Sequence, residues 1–574
     1  MGERYRTGIS GVIKHLSALG LAAGLAGCAV GPNYILPDIA VPDTFLMQPV
    51  NTGQDAPRKP TVDLAEWWRS LRDPELDSLV GRAIESNLDL EIALTRLQEA
   101  RTQEFVVIGE ALPAAGGTGG GGIGTGSDLT TGRASQALRS AEDRTNFRRL
   151  AVAGGFDAAW EIDLFGKFRR ELEAATYDAE ALADARDWTL VTVAADVARA
   201  YLDVRALQMQ LAVLHKNIGV AQGGYDFAKT RFERGITNEL DVALAERHLA
   251  RLQAGVAPLE AQVAASQHVI AVLLGLFPED LAKDKELARA GRLPALPAHI
   301  PPGLPLELLR RRPDIHAAER QLAAATARIG VATADLFPRV ILSGALGAQG
   351  GPRSSSAIPI TLIGAAGPSV YWPLLDFGTL DAKVDIADLQ AHELLASYKQ
   401  TILTAVEQVD DAIASYRAEQ ERLRNLDRAL TGARQATTLA TERYDRGLTD
   451  YLNVLDAERE EFDLEEQYVI AQQNAAMQLI KLYKALGGGW ELHEFIPPIK
   501  QPQPAIIAAA RRLLVPGEGH DRPFRRQPPP LLPTKDGGIN SQAPRPNYRP
   551  DAKTPRRAHQ GSLRSRYRRP WPAR

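Results

Sequence analysis

Arg231-Phe-Glu-Arg-Gly235-Ile-Thr-Asn-Glu-Leu-Asp241-Val and Arg443-Tyr-Asp-Arg-Gly447-Leu-Thr-Asp-Tyr-Leu-Asn453-Val are two copies of one turn, 212 residues apart. In each copy the Gly suits a helix stop, because it enters the left-handed region without a Cβ penalty. Thr237/Asn238 and Thr449/Asp450 then offer side-chain oxygens to cap a following helix. Each copy is predicted to be helix, sharp reversal, helix. The reading of this stretch decides the rest, since everything around it also occurs twice.

Upstream of the second tip, Leu395, Ile402, Val409, Tyr416, Leu423 and Leu430 recur every seventh residue. Upstream of the first, Leu190, Val197, Val204, Leu211 and Ile218 do the same, and adding 212 to each gives a member of the other set. A repeat of seven is coiled-coil-like and implies left-handed supercoiling. No proline interrupts Arg169 to Arg234, so the spacing predicts a rod on the order of 100 Å. A rod of that length needs neighbours along all of it. The last helix is predicted from about Leu452 to Leu486, ahead of Gly487-Gly-Gly-Trp490.

Working outward, Leu76, Leu79, Ala83, Leu90, Leu94 and Leu97 mark a helix from Asp73 to about Ala111, with Asp73 as N-cap and Pro74 at the first helical position. Residues 113–165 are Gly-rich and then polar, ending in Phe156-Asp-Ala-Ala-Trp160-Glu-Ile-Asp-Leu-Phe-Gly166. In the second half a helix runs from Arg311-Arg-Pro-Asp314 to Phe337-Pro338. Strand-like segments Val340–Ala348 and Ile360–Trp372 follow, closing in Trp372-Pro-Leu-Leu-Asp-Phe-Gly378. Asp89, Leu97 and Pro113 match Asp314, Leu322 and Pro338. Each half is thus helix, β-hairpin, long helix, tip, helix. Two hairpins provide four strands, each about long enough to cross a bilayer when tilted. Four strands cannot close on themselves, and open edges are not tolerated in lipid. If the hairpins enter a membrane, several chains must share one barrel. Gly and Ala weaken the alternation, so periodicity alone does not decide the point.

The ends carry different signals. Arg4, Arg6 and Lys14 precede a short apolar run, Leu16–Ala26, and then Leu25-Ala-Gly-Cys28. This is a targeting segment that resembles a bacterial lipobox, in which Cys28 becomes the acylated first residue. Cys28 is the only Cys, so no disulfide forms within one chain. Residues 29–62 are Pro-rich and aperiodic and read as an extended arm. The last 74 residues hold 16 Lys/Arg against 4 Asp/Glu and read as a disordered tail. It is either a polyanion-binding segment, for example on lipopolysaccharide, or a passive extension. The body between is correspondingly acidic, which argues against nucleic acid as a partner.

Chemistry-bearing constellations are missing from the sequence. The Gly116–Gly126 tract lacks the Lys-Ser/Thr of a phosphate loop. The ten His are scattered, and His392-Glu393 has no second His three residues on. One Cys cannot form a metal cluster. No enzyme and no cofactor is expected beyond a covalent lipid on Cys28.

In combination, Leu25-Ala-Gly-Cys28, Gly31-Pro-Asn-Tyr34, Trp67-Trp68, Asp73-Pro-Glu-Leu76, Trp160-Glu-Ile-Asp-Leu-Phe-Gly166, Leu309-Arg-Arg-Arg-Pro-Asp314, Arg443-Tyr-Asp-Arg-Gly447, Leu455-Asp-Ala-Glu-Arg459 and Lys484-Ala-Leu-Gly-Gly-Gly-Trp490 resemble the TolC-type outer-membrane efflux family, in its NodT/OprM-like lipoprotein branch. The resemblance covers about residues 20–495 and leaves the basic tail outside. It implies a mainly α fold with a membrane β part: a homotrimer pooling four strands per chain into a twelve-stranded β-barrel, above a long periplasmic α-helical barrel. It implies a passive exit duct whose tips meet a periplasmic adaptor joined to an inner-membrane pump of the RND type. The alternative from the residues alone is a lipid-anchored periplasmic coiled-coil scaffold whose hairpins never enter a membrane.

The organisation expected is a signal peptide at 1–27, an arm at 28–66 and a first repeat at 67–275, with its hairpin at about 113–165 and its tip at about 231–241. A linker at 276–303, a second repeat at 304–495 (hairpin about 338–376, tip about 443–453) and the tail at 496–574 complete it. The resemblance assigns a periplasmic gate to the tips. Asp456 matches the family's acidic ring and Leu452 its apolar constriction, while Tyr444 and Arg459 match residues tying neighbouring helices. Asp241 is the corresponding acid of the first tip, and Asn453 stands where some members have a second acid. Plainer roles stand beside these. A carboxylate at the start of a helix, as at Asp241, is favourable by about 0.3–1 kcal/mol. Asp456 has Arg459 available at i, i+3, and Tyr444 suits ordinary helix packing.

Overall fold

In a computed structural model of the chain, the residues described are 29–42, 45–46, 64–125, 148–284, 287, 291–294, 296, 311–350 and 360–491, the side chains of 122–125, 148–152 and 349 excepted. Cys28, the segment 1–27 and the tail 496–574 lie outside them, as do 285–286, 288–290, 295 and 297–303 of the linker.

A short 3₁₀ turn, Trp67–Leu71, leads into α1 (Pro74–Ser86) and α2 (Leu88–Glu110). The single helix expected from Asp73 to Ala111 is therefore two. The break is at Asn87, buried and extended at ψ 129°. Its Oδ1 accepts from Asp89 N and Leu90 N, and its Nδ2 donates to Leu273 O at 2.8 Å. A capping side chain held from another element outcompetes helix continuation there. Asp73 caps α1 as expected, accepting from Glu75 N at 3.1 Å.

Next come β1 (Ala114–Thr125) and β2 (Arg148–Ile162), then α3 (Lys167–Glu233), which has 67 residues. Past the first tip, α4 (Glu239–Ala254) and α5 (Val256–Leu273) return, and α6 (Pro278–Asp284) follows. The second half has α7 (Pro313–Ala334), β3 (Arg339–Gly350), β4 (Ile360–Tyr371), α8 (Thr379–Asp445) and α9 (Tyr451–Ala485). Helix α8 also has 67 residues, and its ends lie 212 residues beyond those of α3. Heptad members Val197, Val204, Ile402 and Val409 are buried, as the stripe requires.

The repeats differ in their return helices. Helix α9 is one piece of 35 residues, whereas its counterpart is interrupted at Gly255. Pro258 in the first turn of α5 supplies no backbone N–H, which explains the interruption.

The motifs prove to be clamps between segments distant in sequence. Arg312, almost fully buried, donates to both oxygens of Asp314, to Gln408 and to the Ala485 carbonyl, and lies 4.9 Å over the Trp188 ring. It thereby ties the start of α7 to the end of α9. Trp67 stacks on Tyr483 with ring centroids 5.1 Å apart. A Cβ at Gly488 would lie 2.7 Å from the Leu64 carbonyl, so the glycine run lets the segment after α9 pass close to Leu64 and the two Trp. Near the N-terminus, Arg170 donates to Val30 O, Gly31 O and Asn33 Oδ1, and Tyr34 donates to Glu319 at 3.0 Å.

The four strands form one antiparallel meander, β1-β2-β3-β4, so the two hairpins pair through β2 and β3. The register sets Phe156, Leu346 and Gly364 in one row, and Trp160, Leu342 and Pro368 in another. Phe156, Leu346, Leu362 and Val370 share that face and are 64–79% exposed. Asp157, Glu161, Ser343 and Ser369 lie at the alternate positions, on the opposite face. The alternation too weak to read strand by strand is clear once the strands are registered. One face is apolar; the other carries the sheet's polar residues among small ones, together with Ile341, Ile363 and Tyr371, and among the described residues β1 and β4 leave two unpaired edges.

The sheet meets the helices at a duplicated joint. Trp160 Nε1 donates to Ala111 O at 3.1 Å and Trp372 Nε1 to Leu336 O at 3.0 Å. Phe165 stacks on Phe337 at 4.6 Å. Gly166 and Gly378, both at φ 79°, turn the chain into the long helices.

Candidate functional site at the hairpin tips

Both turns close alike. Gly235 N donates to Phe232 O and Ile236 N to Arg231 O; Gly447 N donates to Tyr444 O and Leu448 N to Arg443 O. The glycines sit at φ 69° and 72°, the left-handed stop expected of them. The caps divide differently from expectation. Asn238 caps α4 by accepting from Asp241 N at 3.1 Å. Asp450 makes no side-chain cap on α9. Instead, each tip is laced at i, i+4: the Thr237 hydroxyl donates to the Asp241 carboxylate, and Asn453 Nδ2 donates to Thr449 Oγ1 at 2.7 Å.

The two tips of one chain are held against each other around Tyr444, which is 5% exposed. Its ring meets Tyr451 at 5.1 Å and Phe227 edge-on at 6.0 Å. The Arg231 guanidinium lies 4.8 Å over the ring, and its Nη1 donates to the Tyr444 carbonyl. Burial raises the pKa of the Tyr444 hydroxyl, and the charge of Asp241 raises it further, so it stays neutral. Tyr451, equally buried, is admitted by Gly224, where a Cβ would lie 2.6 Å from the Tyr451 hydroxyl oxygen.

Leu452, Asp456 and Arg459 form a separate group. They share one exposed face of α9, at i, i+4 and i+7. No ion pair joins Asp456 to Arg459 among the described residues, so the plainer role considered for Asp456 is not what the chain adopts. Arg459 instead adds to the positive charge from Arg251 and Arg247 that, after burial, lowers the pKa of His248 on α4. Structure thus brings Tyr444 near Asp241 and leaves Leu452, Asp456 and Arg459 on an open face. Cys28 is outside the described residues.

Sequence reasoning passed over Arg231, Phe227, Tyr451 and Glu458, all of which build this site. It also passed over Glu465, farther along α9. Glu465 accepts from Arg434 at 2.8 Å, Lys216 at 2.7 Å and Asn217 at 3.3 Å. Burial pushes its pKa up, but these three donors outweigh it and hold the carboxyl below the usual range. Arg231 had a signal: it heads the quoted turn in the same column as Arg443. The others meet partners on different helices and left none.

Exposed apolar side chains cap both tips, Ile236 at 59% and Leu240 at 62%, and at the equivalent positions Leu448 at 64% and Leu452 at 53%. Such a cluster is the mark of an interaction surface. Nothing in this geometry is a nucleophile or an acid–base pair. The arrangement can hold tips together or release them.

The chain matches the family model "Outer membrane efflux protein" over residues 79–276 and 304–488. It is 30% identical over 503 residues to nodulation protein T of Rhizobium leguminosarum bv. viciae, covering 86% of this chain and 97% of that protein. It is also 30% identical over 484 residues to the probable efflux pump outer membrane protein TtgC of Pseudomonas putida, covering 83% and 96%. Among solved structures it resembles the outer-membrane channel OprN, with a TM-score of 0.69 at 36% identity over 81% of this chain and all of that one.

Proposed function

The chain belongs to the outer membrane efflux protein family, a family of channels and not of enzymes, and from that premise we propose how this outer-membrane channel of an efflux system is assembled and closed. Three copies join edge to edge, β1 of one to β4 of the next, giving twelve strands. One observation carries the reading: among the described residues the four-stranded sheet has one apolar face, an opposite face that holds its polar residues, and two unpaired edges. In lipid an unpaired edge costs several kcal/mol per orphan group, and closure removes it. The apolar face then meets lipid and the opposite face lines the lumen. Strands of 12–15 residues suffice, since about 9–11 tilted residues cross a bilayer.

The long helices continue the duct below the membrane in two repeats, 67–275 and 304–495, joined at 276–303. Their tips meet a periplasmic adaptor through Ile236, Leu240, Leu448 and Leu452, and the adaptor couples the duct to an inner-membrane pump of the RND type. The closed aperture is formed at Asp241, Tyr444, Leu452, Asp456 and Arg459. Three Asp456 carboxylates around one axis favour cations. A lipid on Cys28 anchors each chain. Support for this comes from the next residue, since Ala29 Cα lies 2.6 Å from where a Cβ on Gly166 would be, at the joint of sheet and helices.

Membrane fractions run unheated on a denaturing gel, and purified protein in planar bilayers, test the reading. A heat-sensitive trimer with ion conductance is expected. A monomer without conductance overturns it in favour of the lipid-anchored scaffold.

A further inference from the structure

Inside one chain, Arg231 of the first tip reaches across to Tyr444 of the second. The repeat relation moves each residue 212 positions along, so Arg231 corresponds to Arg443 and Phe232 to Tyr444. Yet the corresponding residues lie apart from any such contact here. Phe232 is 43% exposed whereas Tyr444 is buried, and Arg443 is exposed where Arg231 is stacked. A ring to receive a guanidinium and a guanidinium to cover a ring are thus both left exposed.

In a ring of three chains the six tips alternate, first and second repeat in turn. The step from the second tip of one chain to the first tip of the next then repeats the step inside a chain. We propose that Phe232 of each chain receives Arg443 of the partner subunit, so that a cation over an aromatic ring closes the seam between chains as it does the seam within one. The inference rests on the trimer of the preceding section. Continuity with the inner contact identifies the occupant as a second copy of this chain. Neighbouring positions fit: Leu439, which corresponds to Phe227, is 52% exposed.

The two seams are alike in plan and unequal in strength. Where the inner seam has the Tyr444 hydroxyl and the Asp241 carboxylate, the outer has Phe232 and Asn453. The outer seam lacks both the hydroxyl and the charge, and it is the one at which the tips part when the duct opens.

The test pairs Phe232→Cys with Arg443→Cys in the full-length protein and treats it with a bismaleimide. A disulfide is unsuitable, since a stacked guanidinium and ring hold their Cα atoms farther apart than the ~7 Å a disulfide tolerates. Products of two and three chain masses on a denaturing gel are expected, with neither from each single substitution. Native mass spectrometry on the same sample separates the possible failures. A trimer yielding only single-chain products overturns the Phe232–Arg443 contact and leaves the trimer standing, whereas absence of a trimer overturns both. Independently, Phe232→Ala and Arg443→Ala raise closed-state conductance at least about two-fold, the scale of one exposed cation–π contact. Unchanged conductance in both overturns the proposal.

Discussion

Arg231 lies 4.8 Å over the ring of Tyr444 and also donates to that residue's own carbonyl oxygen. One side chain thus binds both the ring and the backbone of a residue 213 positions away. The two contacts fix the second tip against the first in position and in direction.

Replacing Arg231 by Ala removes both contacts while leaving each helix intact. A cation–π contact and one hydrogen bond are each worth about 0.5–1.5 kcal/mol. Together they come to about 1–3 kcal/mol, so closed-state conductance in planar bilayers rises at least about fivefold and at most about 150-fold. Arg231→Lys restores part of the closure, because an ammonium keeps the charge and loses the planar fork. Equal leakage from Ala and wild type would remove this pair from the closure.

Asp456 is exposed and unpaired with Arg459, so Asp456→Ala leaves thermal stability within about 0.5 kcal/mol of wild type. It lowers cation preference and raises leak through the closed aperture. Reversal potentials under a salt gradient measure the first, and entry of a large antibiotic the second. A shift in melting without any shift in selectivity would show the residue to be structural.

Glu458 gives the tip region a pH dependence. Burial first, then the Glu461 carboxylate, raise its pKa to about 7 from the ordinary 4.5, and its Oε2 is buried without a hydrogen bond. The folded chain holds this proton more tightly than the unfolded one. Its contribution to stability is therefore complete below pH 4.5 and lost as pH rises through about 7. Amide exchange at residues 444–460 should speed up from pH 5 to pH 8 beyond the intrinsic rate by the equivalent of about 1–2 kcal/mol. Glu458→Gln should keep the protection relative to the intrinsic rate constant across that range. A tip whose exchange follows only the intrinsic rate would refute this.

Cys28→Ser tests the anchor. Labelled palmitate no longer attaches and sorting to the outer membrane weakens, while the arm from Ala29 onward keeps its contacts with Gly166 and Arg170. Label on the substituted protein would mean that the lipid sits elsewhere.

What the sequence determined by itself is whatever depends on near neighbours. The sevenfold stripes, the Gly235 and Gly447 stops and the Asp73 cap act within a turn or two of helix, and all are where the residues placed them. Duplication made them legible twice over. Tertiary structure decided what depends on residues far apart. Asn87 breaks a helix because the Leu273 carbonyl holds its amide, and β2 pairs β3 so that weak strands acquire one apolar face. Tyr444 is buried and its counterpart Phe232 is not, though both occupy the same place in the same turn. Local sequence fixes a backbone's preferences, but burial is set by what packs across from it, and no periodicity along one chain records that.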